Sequence, residues 1–248
     1  MIPPNSSPTS KDPLRQLVWL MDRLRSPGGC PWDAEQTHRS LVGYLVEEAY
    51  ETIEAIETDD DSALREELGD LLLQVVFHAR IAAEQPTGFD IDDVAGDIVA
   101  KLIRRHPHVF ADGYADSAAH VEAQWHARKA AEKGRTSVTD GVPLRMPSLL
   151  LTRKLLHRAR TAGAVAAADG AARGAAAVQV AGPEATEAAS RALAAVGDDQ
   201  AALGELLIAL VSLADARGLD AEGAARSAAR DYRARLLAAE LTTADSDG

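Results

Sequence analysis

Apolar residues recur at helical spacing along most of this chain. The segment "PLRQLVWLMDRLR" has five of them three or four positions apart, at Leu14, Leu17, Val18, Met21 and Leu24. This spacing places them on one face of an α-helix. The same pattern predicts further helices at about 38–57, 63–84, 90–105, 117–133 and 146–159. Because no stretch sustains the alternation of a β-strand, the sequence predicts an all-α protein.

Changes in composition divide the chain into four parts. Residues 1–12 are rich in Pro and Ser and predict a flexible tail. Residues 13–160 hold the strongly patterned helices, whereas residues 161–182 are mostly Ala and Gly and predict a linker of low complexity. Residues 183–248 repeat, in degraded form, the order of an acid pair, an apolar helix, a Gly-containing loop and a second helix. We therefore expect a main helical domain at 13–160 and a degenerate helical repeat at 183–248.

Charge and cysteine content restrict the class of protein. The chain of 248 residues has 38 acids and 26 Lys and Arg, for a formal net charge of −12. This balance argues against binding to DNA or RNA polymers, which need a basic surface, but still allows a small anionic ligand. Cys30 is the only cysteine, so no disulfide can form within the chain. With no secretion signal and no long apolar run, we expect a cytoplasmic protein that does not enter a membrane.

Acidic residues concentrate on the second predicted helix. On a helical wheel Glu47, Glu51 and Glu54 lie on one side with Glu48 at its flank, and Leu41, Leu45, Ala49, Ile53 and Ile56 lie on the other. Taken alone, this is the pattern of an ordinary amphipathic helix with a solvated acidic face.

The third predicted helix changes the interpretation of these acids, because it is apolar nearly all the way round yet contains Glu67 and Asp70. Buried carboxylates need salt bridges, a position near the helix start, or a bound cation. The pairs Glu48/Glu51 and Glu67/Asp70 on antiparallel neighbouring helices would bring four carboxylates to one point. Such a set of hard oxygen ligands suits Mg²⁺ or Mn²⁺ and, through the cation, a phosphate substrate.

Bases gather at the end of the fourth predicted helix. Lys101, Arg104 and Arg105 share one face at i, i+3 and i+4 spacing and could contact phosphate oxygens. They could equally be cations that stabilise a helix C-terminus. Composition favours a place in the core or in an interface for Trp125 over a role in stacking on a base.

Three stretches of the sequence resemble the MazG-type nucleoside triphosphate pyrophosphohydrolases over roughly residues 14–160. They are "GCPWDAEQTHRSLVGYLVEEAYE", with EExxE at 47–51, "ELGDLLLQVVFHA", which begins with ExxD at 67–70, and "KLIRRHPHVFAD". The resemblance implies a helical bundle of the MazG type whose site is completed in a homodimer. It implies Mg²⁺ ligands at Glu48, Glu51, Glu67 and Asp70, and a role for Glu47 beside them or in positioning the attacking water. It also implies triphosphate contacts at Lys101, Arg104 and Arg105, and contacts on the nucleotide side at Trp125 and Lys129.

The function expected from this resemblance is Mg²⁺-dependent hydrolysis of a nucleoside triphosphate to the monophosphate and pyrophosphate. A glutamate among Glu47, Glu48 and Glu51 would accept the proton of the attacking water. Two alternatives remain open at this point. One is a narrower pyrophosphohydrolase specific for dUTP or phosphoribosyl-ATP, and the other is a non-catalytic helical dimer that binds nucleotide.

The C-terminal repeat should lack activity, because it does not contain the full set of acids found in the first repeat. When "LGDLL" is aligned with "LGELL", Glu67 corresponds to Ala202 and Asp70 to Glu205, and no EExxE precedes them. A single acid cannot hold Mg²⁺. We expect a fragment that begins near Gly182 to show no metal-dependent turnover of a nucleoside triphosphate, and one that ends near Arg160 to retain it. Hydrolysis by the isolated C-terminal fragment would contradict this assignment.

Overall fold

The computed structural model of the chain describes residues 11–117, 120–121, 124–125, 128, 132, 137–161 and 183–244. These residues form helices and contain no strand, which confirms the all-α prediction. None of the helices in these ranges is long and apolar enough to cross a bilayer. The helices are α1 (Pro13–Arg25), α2 (Pro31–Glu35), α3 (Val42–Glu57), α4 (Asp61–Ala82), α5 (Ile91–Arg105), α6 (Pro107–Phe110), α7 (Ser148–Thr161), α8 (Pro183–Ala195), α9 (Gln200–Ala216) and α10 (Ala221–Ala244).

Short-range chemistry explains where the main helices begin. An aspartate precedes α1, α4 and α5, and its side chain accepts hydrogen bonds from the first free backbone N–H groups of the helix, at Asp12, Asp60 and Asp90. The single-turn helices α2 and α6 were not predicted. Each starts with a proline, Pro31 or Pro107, which favours the first helical position even though it breaks a longer helix.

The chain divides into two compact units, Met1–Trp125 and His126–Gly248. In the first unit, α3 and α4 pack as a helical hairpin, and α1 and α5 pack against α4. In the second unit, α8 and α9 form a hairpin that packs against α7, and α10 contacts α7 and α9.

Helix α7 belongs to the second unit, although the sequence analysis placed its residues in the first domain. Its Arg153 and Arg160 both pair with Asp215 of α9. Whether 13–160 acts as one functional domain stays a prediction. The predicted tail and linker lie outside the described residues, apart from residues 11, 12 and 161, and so does much of the helix predicted at 117–133.

The core of the first unit lies at the C-terminal half of α4. Its buried members come from α1, α4 and the residue before α3, namely Met21, Leu41, Val76, Phe77 and Ile81. One face of α4 is less covered, because Leu68, Leu72 and Val75 are 52%, 36% and 44% exposed. The prediction of a helix buried all round is therefore wrong for this face.

The face of α3 that packs on α4 is also not the one that the helical wheel suggested. The buried residues of α3 are Thr52 and Ala55, whereas Leu45 and Ile56 of the apolar side are exposed. Small side chains let the two helices approach closely. The approach does not depend on Gly69, since a Cβ atom there would meet nothing within 4 Å.

A buried arginine ties the ends of α1 and α4 to the loop that contains α2. The Arg25 side chain is 4% exposed and donates to both carboxylate oxygens of Glu84, at 2.8 and 2.9 Å. It also donates to the carbonyl oxygens of Asp33 and Gln36, and its guanidinium lies 5.4 Å from the centre of the Phe77 ring. Because all of these partners converge on one cation, loss of Glu84 would leave a buried charge poorly compensated.

We expect Glu84→Gln to lower the free energy of unfolding by about 1 to 3 kcal/mol at neutral pH, a range that allows for the partial exposure of Glu84. The hydrogen bond from Arg25 lowers the pKa of Glu84, and the charges of Arg25 and Arg80 act in the same direction. A lowered pKa means that the stabilisation is present above the ordinary glutamate value of about 4.3 and is lost as the pH falls below it. Urea unfolding at pH 7 and pH 3.5 checks this expectation. If the variant and the wild type differ in free energy of unfolding by the same amount at both pH values, the expectation is contradicted.

Candidate functional site

Three of the four predicted metal ligands meet between α3 and α4. One carboxylate oxygen from each of Glu48, Glu67 and Asp70 lies within 4.8 Å of the other two, and all three residues are half-buried. None of the three acids takes part in an ion pair with the cations that the structure describes. The part of the chain that the structure describes therefore offers no salt bridge to compensate these acids.

The turn between α3 and α4 fixes how the two helices face each other. Asp59 adopts a left-handed conformation, with φ of 54°, and the N–H groups of Asp59 and Asp60 donate to the last carbonyl oxygens of α3, at Ile56 and Ala55. This is the Schellman arrangement that commonly ends a helix. Asp60 then caps α4, so the chain reverses within three residues. The tight reversal brings the second turn of α3 beside the second and third turns of α4.

The carboxylates at this point destabilise one another's charged forms. Burial raises the pKa of Glu48 first, and the charges of Asp70, Glu51, Glu67 and Glu47 raise it further. Burial also raises the pKa of Glu67, with added contributions from Glu51, Glu66 and Asp70. A group of acids that repel one another and lack a cation is a suitable arrangement for binding a divalent cation.

The other two predicted acids of α3 lie at the edge of this cluster. Glu51 is exposed, yet its charge acts on the pKa of both Glu48 and Glu67, so it is close to the two. Glu47 is exposed and acts on the pKa of Glu48. The structure thus gathers all five predicted acids, three in mutual contact range and two beside them.

The predicted phosphate-binding bases face a different surface. Lys101 and Arg104 line a pocket of about 660 Å³ along α5, together with Phe89, Asp93, Val94, Asp97, Ile98 and Ala100. This pocket and the acid cluster share no lining residue. This pocket is therefore not the centre of the expected chemistry, which depends on the carboxylates.

Arg105 and Trp125 pack against each other. Arg105 is 5% exposed, and its guanidinium lies 4.9 Å from the centre of the Trp125 ring. His106 also lies against that ring, at 5.1 Å between ring centres. This arrangement agrees with a core position for Trp125, and the burial of Arg105 weighs against direct contact with a triphosphate. Lys129 lies outside the described residues.

Two features near the acids were not assigned from the sequence. The first is a contact between His38, which precedes α3, and His78 of α4, whose Nδ1 atoms are 2.8 Å apart. The second is an edge-to-face pair of the half-exposed rings of Trp32 and Tyr44, with centres 5.9 Å apart. Tyr44 lies one turn before Glu48, so the spacing of α3 could have placed it beside the acids. The histidine contact joins distant parts of the sequence, and spacing along the chain carries no signal of it.

Comparison with known proteins adds an independent observation. Residues 36–110 match the model of the MazG nucleotide pyrophosphohydrolase domain, a range that contains all five acids and the bases of α5. The chain is 47% identical over 231 residues to an uncharacterized 26.1 kDa protein from the blaB 3' region of Streptomyces cacaoi, covering 92% of this chain and 82% of that protein.

Two further relatives have names that state an activity. A nucleoside triphosphate pyrophosphohydrolase of Escherichia coli K12 is 39% identical over 236 residues, covering 92% of this chain and 88% of that protein. The protein of Thermotoga maritima named nucleoside triphosphate pyrophosphohydrolase/pyrophosphatase MazG is 48% identical over 151 residues, covering 60% of this chain and 57% of that protein. With the domain match over the acid cluster and similarity along nearly its whole length, the chain belongs to the MazG family.

Proposed function

We propose that this chain hydrolyses nucleoside triphosphates to the monophosphate and pyrophosphate at the acid cluster between α3 and α4. The observation that carries the proposal is the convergence of Glu48, Glu67 and Asp70 within 4.8 Å without a described cation partner. The pyrophosphohydrolase names of the relatives that match along the chain support the same reaction.

The donor set fits Mg²⁺, with Mn²⁺ as the alternative. Glu48, Glu67 and Asp70 offer hard oxygen ligands from two helices, and Glu51, whose charge acts on Glu48 and Glu67, is the fourth predicted ligand. The raised pKa values of Glu48 and Glu67 agree with acids that a bound cation would stabilise. A bound Mg²⁺ would neutralise triphosphate charge and lower the pKa of a water molecule.

The protein's own groups would then carry out the remaining steps. Glu47, exposed beside Glu48, accepts the proton of the water whose oxygen attacks phosphorus, and the bond between the α- and β-phosphates breaks. Pyrophosphate leaves with the electron pair of that bond. Lys101 and Arg104 line a separate pocket on α5, and they would supply positive charge for the leaving group where the homodimer brings such a pocket to an acid cluster. The roles first expected for Arg105, Trp125 and Lys129 stay predictions.

We also propose that the chain forms a homodimer through α3 and α4. The hairpin leaves a set of large apolar side chains between 36% and 56% exposed, at Val42, Leu45, Val46, Ile56, Leu68, Leu72 and Val75. Contiguous apolar surface of this kind is typical of an interface. The interface would cover the part of α4 that the core leaves open. A cytoplasmic location remains the expectation from the single cysteine.

The first experiment identifies the bond that is cleaved. Purified protein with ATP and Mg²⁺ should release pyrophosphate and AMP, as followed by ³¹P NMR. EDTA should abolish the release, because the ligands of the cluster suit only a hard divalent cation. Inorganic phosphate and ADP as first products would contradict the proposed chemistry.

The second experiment tests the acid cluster. Asp70→Asn and Glu48→Gln should each lower kcat/KM about 100-fold or more while the helical circular dichroism is kept, since each removes a ligand charge. Asp61→Asn is the matched control, because Asp61 is exposed on α4 and is not among the acids that raise the pKa of Glu48 and Glu67. Near-normal turnover in a folded Asp70→Asn variant would show that the metal site is assigned wrongly.

The third experiment tests assembly. The wild type should sediment as a dimer at micromolar concentration, and Leu72→Glu should sediment as a monomer because a charge would enter an apolar interface. Leu14→Glu serves as the control, since Leu14 is 58% exposed on α1, away from the hairpin. A wild-type monomer, or equal effects of the two changes, would contradict the proposed interface.

A further inference from the structure

The α3–α4 hairpin is held at both ends, and the acid cluster lies between them. At the closed end the chain itself joins the helices through Thr58, Asp59 and Asp60. At the open end His38 meets His78, with Nδ1 atoms 2.8 Å apart and rings stacked at 5.1 Å with planes 5° apart. Asp70 is ten residues from Asp60 and eight from His78, or about 15 and 12 Å along the helix.

Hydrogen bonds in the segment before α3 link the position of His38 to the start of that helix. The N–H of Thr37 donates to Ser40 Oγ, the N–H of Ser40 donates to Thr37 Oγ1, and the N–H of Leu41 donates to the carbonyl oxygen of Thr37. Leu41, which is 1% exposed, enters the core immediately before α3 starts. A contact that fixes His38 against α4 therefore fixes the start of the helix that carries Glu48.

Beside the acids the two helices meet through small side chains. The buried residues of α3 are Thr52 and Ala55, and the carboxylates of the cluster repel one another. Metal sites accept ligand distances only within about 0.2 Å of the ideal. A small increase in the separation of α3 and α4 would thus be enough to weaken the site.

The second unit shows that a hairpin of this kind forms without this polar row. Glu67, Asp70, Gln74 and His78 lie on one side of α4, and aligning the two repeats places Ala202, Glu205, Ala209 and Leu213 at the same positions of α9. Three of the four polar residues are therefore replaced by apolar ones, yet α8 and α9 pack together. Since hairpin formation does not require the row, Gln74 and His78 belong with the acids in function.

We propose that the hydrogen bond between His38 and His78 is a positioning contact that holds α3 and α4 at the separation the metal site requires. The inference rests on the proposed metal site between these helices and names two residues outside it that set its affinity. It also explains why a histidine pair is kept at a place where His78 Nε2 and Gln74 Oε1 are buried without a hydrogen-bond partner. Such unpaired buried atoms have a cost that a purely structural contact would avoid.

The contact depends on protonation. One Nδ1 must donate and the other must accept, so the pair can carry at most one added proton. Burial and then the charge of His38 lower the pKa of His78, which keeps the pair intact at neutral pH. Of the charges that the structure describes, only that of His38 acts on the pKa of His78. The charged side chains on the following turns of α4 pair with one another or with α1, in the pairs Arg80–Asp22, Arg80–Glu84 and Arg25–Glu84. Protonation of both rings as the pH falls would remove the acceptor and place two cations in contact.

The test compares three variants by the binding of Mn²⁺ alone, without nucleotide, measured by electron paramagnetic resonance at pH 7.5 and pH 5.8. His38→Ala removes the contact, whereas His38→Asn keeps a polar atom near the position of Nδ1 but does not titrate. Arg39→Ala is the control, because Arg39 is the exposed neighbour of His38. Circular dichroism and thermal unfolding verify that each variant is folded, and since His38 is itself exposed no variant disturbs the core.

At pH 7.5 we expect His38→Ala to raise the Kd for Mn²⁺ about tenfold, as changes beside metal ligands commonly do. His38→Asn and Arg39→Ala should stay within about twofold of wild type. Between pH 7.5 and pH 5.8 wild type should lose affinity for Mn²⁺, and His38→Asn should lose less.

Two results would overturn the proposal. One is a Kd for His38→Ala within twofold of wild type, and the other is an identical loss of affinity at pH 5.8 in His38→Asn and wild type. Failure of the proposed reaction has a different signature, because wild type would then bind Mn²⁺ normally but release no pyrophosphate from a nucleoside triphosphate.

Discussion

Mutual repulsion of the carboxylates between α3 and α4 is the constraint that the first unit must satisfy. Burial and neighbouring acids raise the pKa of Glu48 and Glu67, so folding places negative charges where they oppose one another. No described ion pair relieves them. The hairpin must therefore be held by contacts outside the cluster, and its chemistry depends on how firmly those contacts hold.

The stabilising contacts lie mainly beyond the acids, towards the C-terminal half of α4. There Met21, Val76 and Phe77 form the core, and Arg25 joins the end of α1 to Glu84. This division leaves the face of α4 that carries Leu68, Leu72 and Val75, and much of the apolar surface of α3, exposed. The same division that keeps the acids accessible to a ligand thus creates the apolar surface proposed for dimerisation.

Periodicity was sufficient to predict the four longer helices of the first unit, α1, α3, α4 and α5, because their apolar residues recur at helical spacing. Spacing also singled out Glu48, Glu67 and Asp70, since acids within an apolar helix have few structural explanations. It did not identify the buried face of α3, because close packing there uses Thr52 and Ala55, which a hydrophobic wheel does not emphasise. Tertiary contacts decided that Arg105 is buried against Trp125 and that α7 joins the second unit, and neither contact leaves a local pattern.

The contact between His38 and His78 belongs to the same class of unpredictable features, since it joins residues 40 positions apart. A comparison of the hairpins in the two units shows which residues they share and which occur in only one. Val76 and its equivalent Val211 are buried in both hairpins, so the apolar frame is common to them. The polar row that includes Glu67 and His78 is present in only one. A hairpin that folds with Ala202 and Leu213 in that row has no need of repelling acids or a stacked histidine pair. Their presence on α4 is therefore best explained by a ligand whose binding offsets the repulsion.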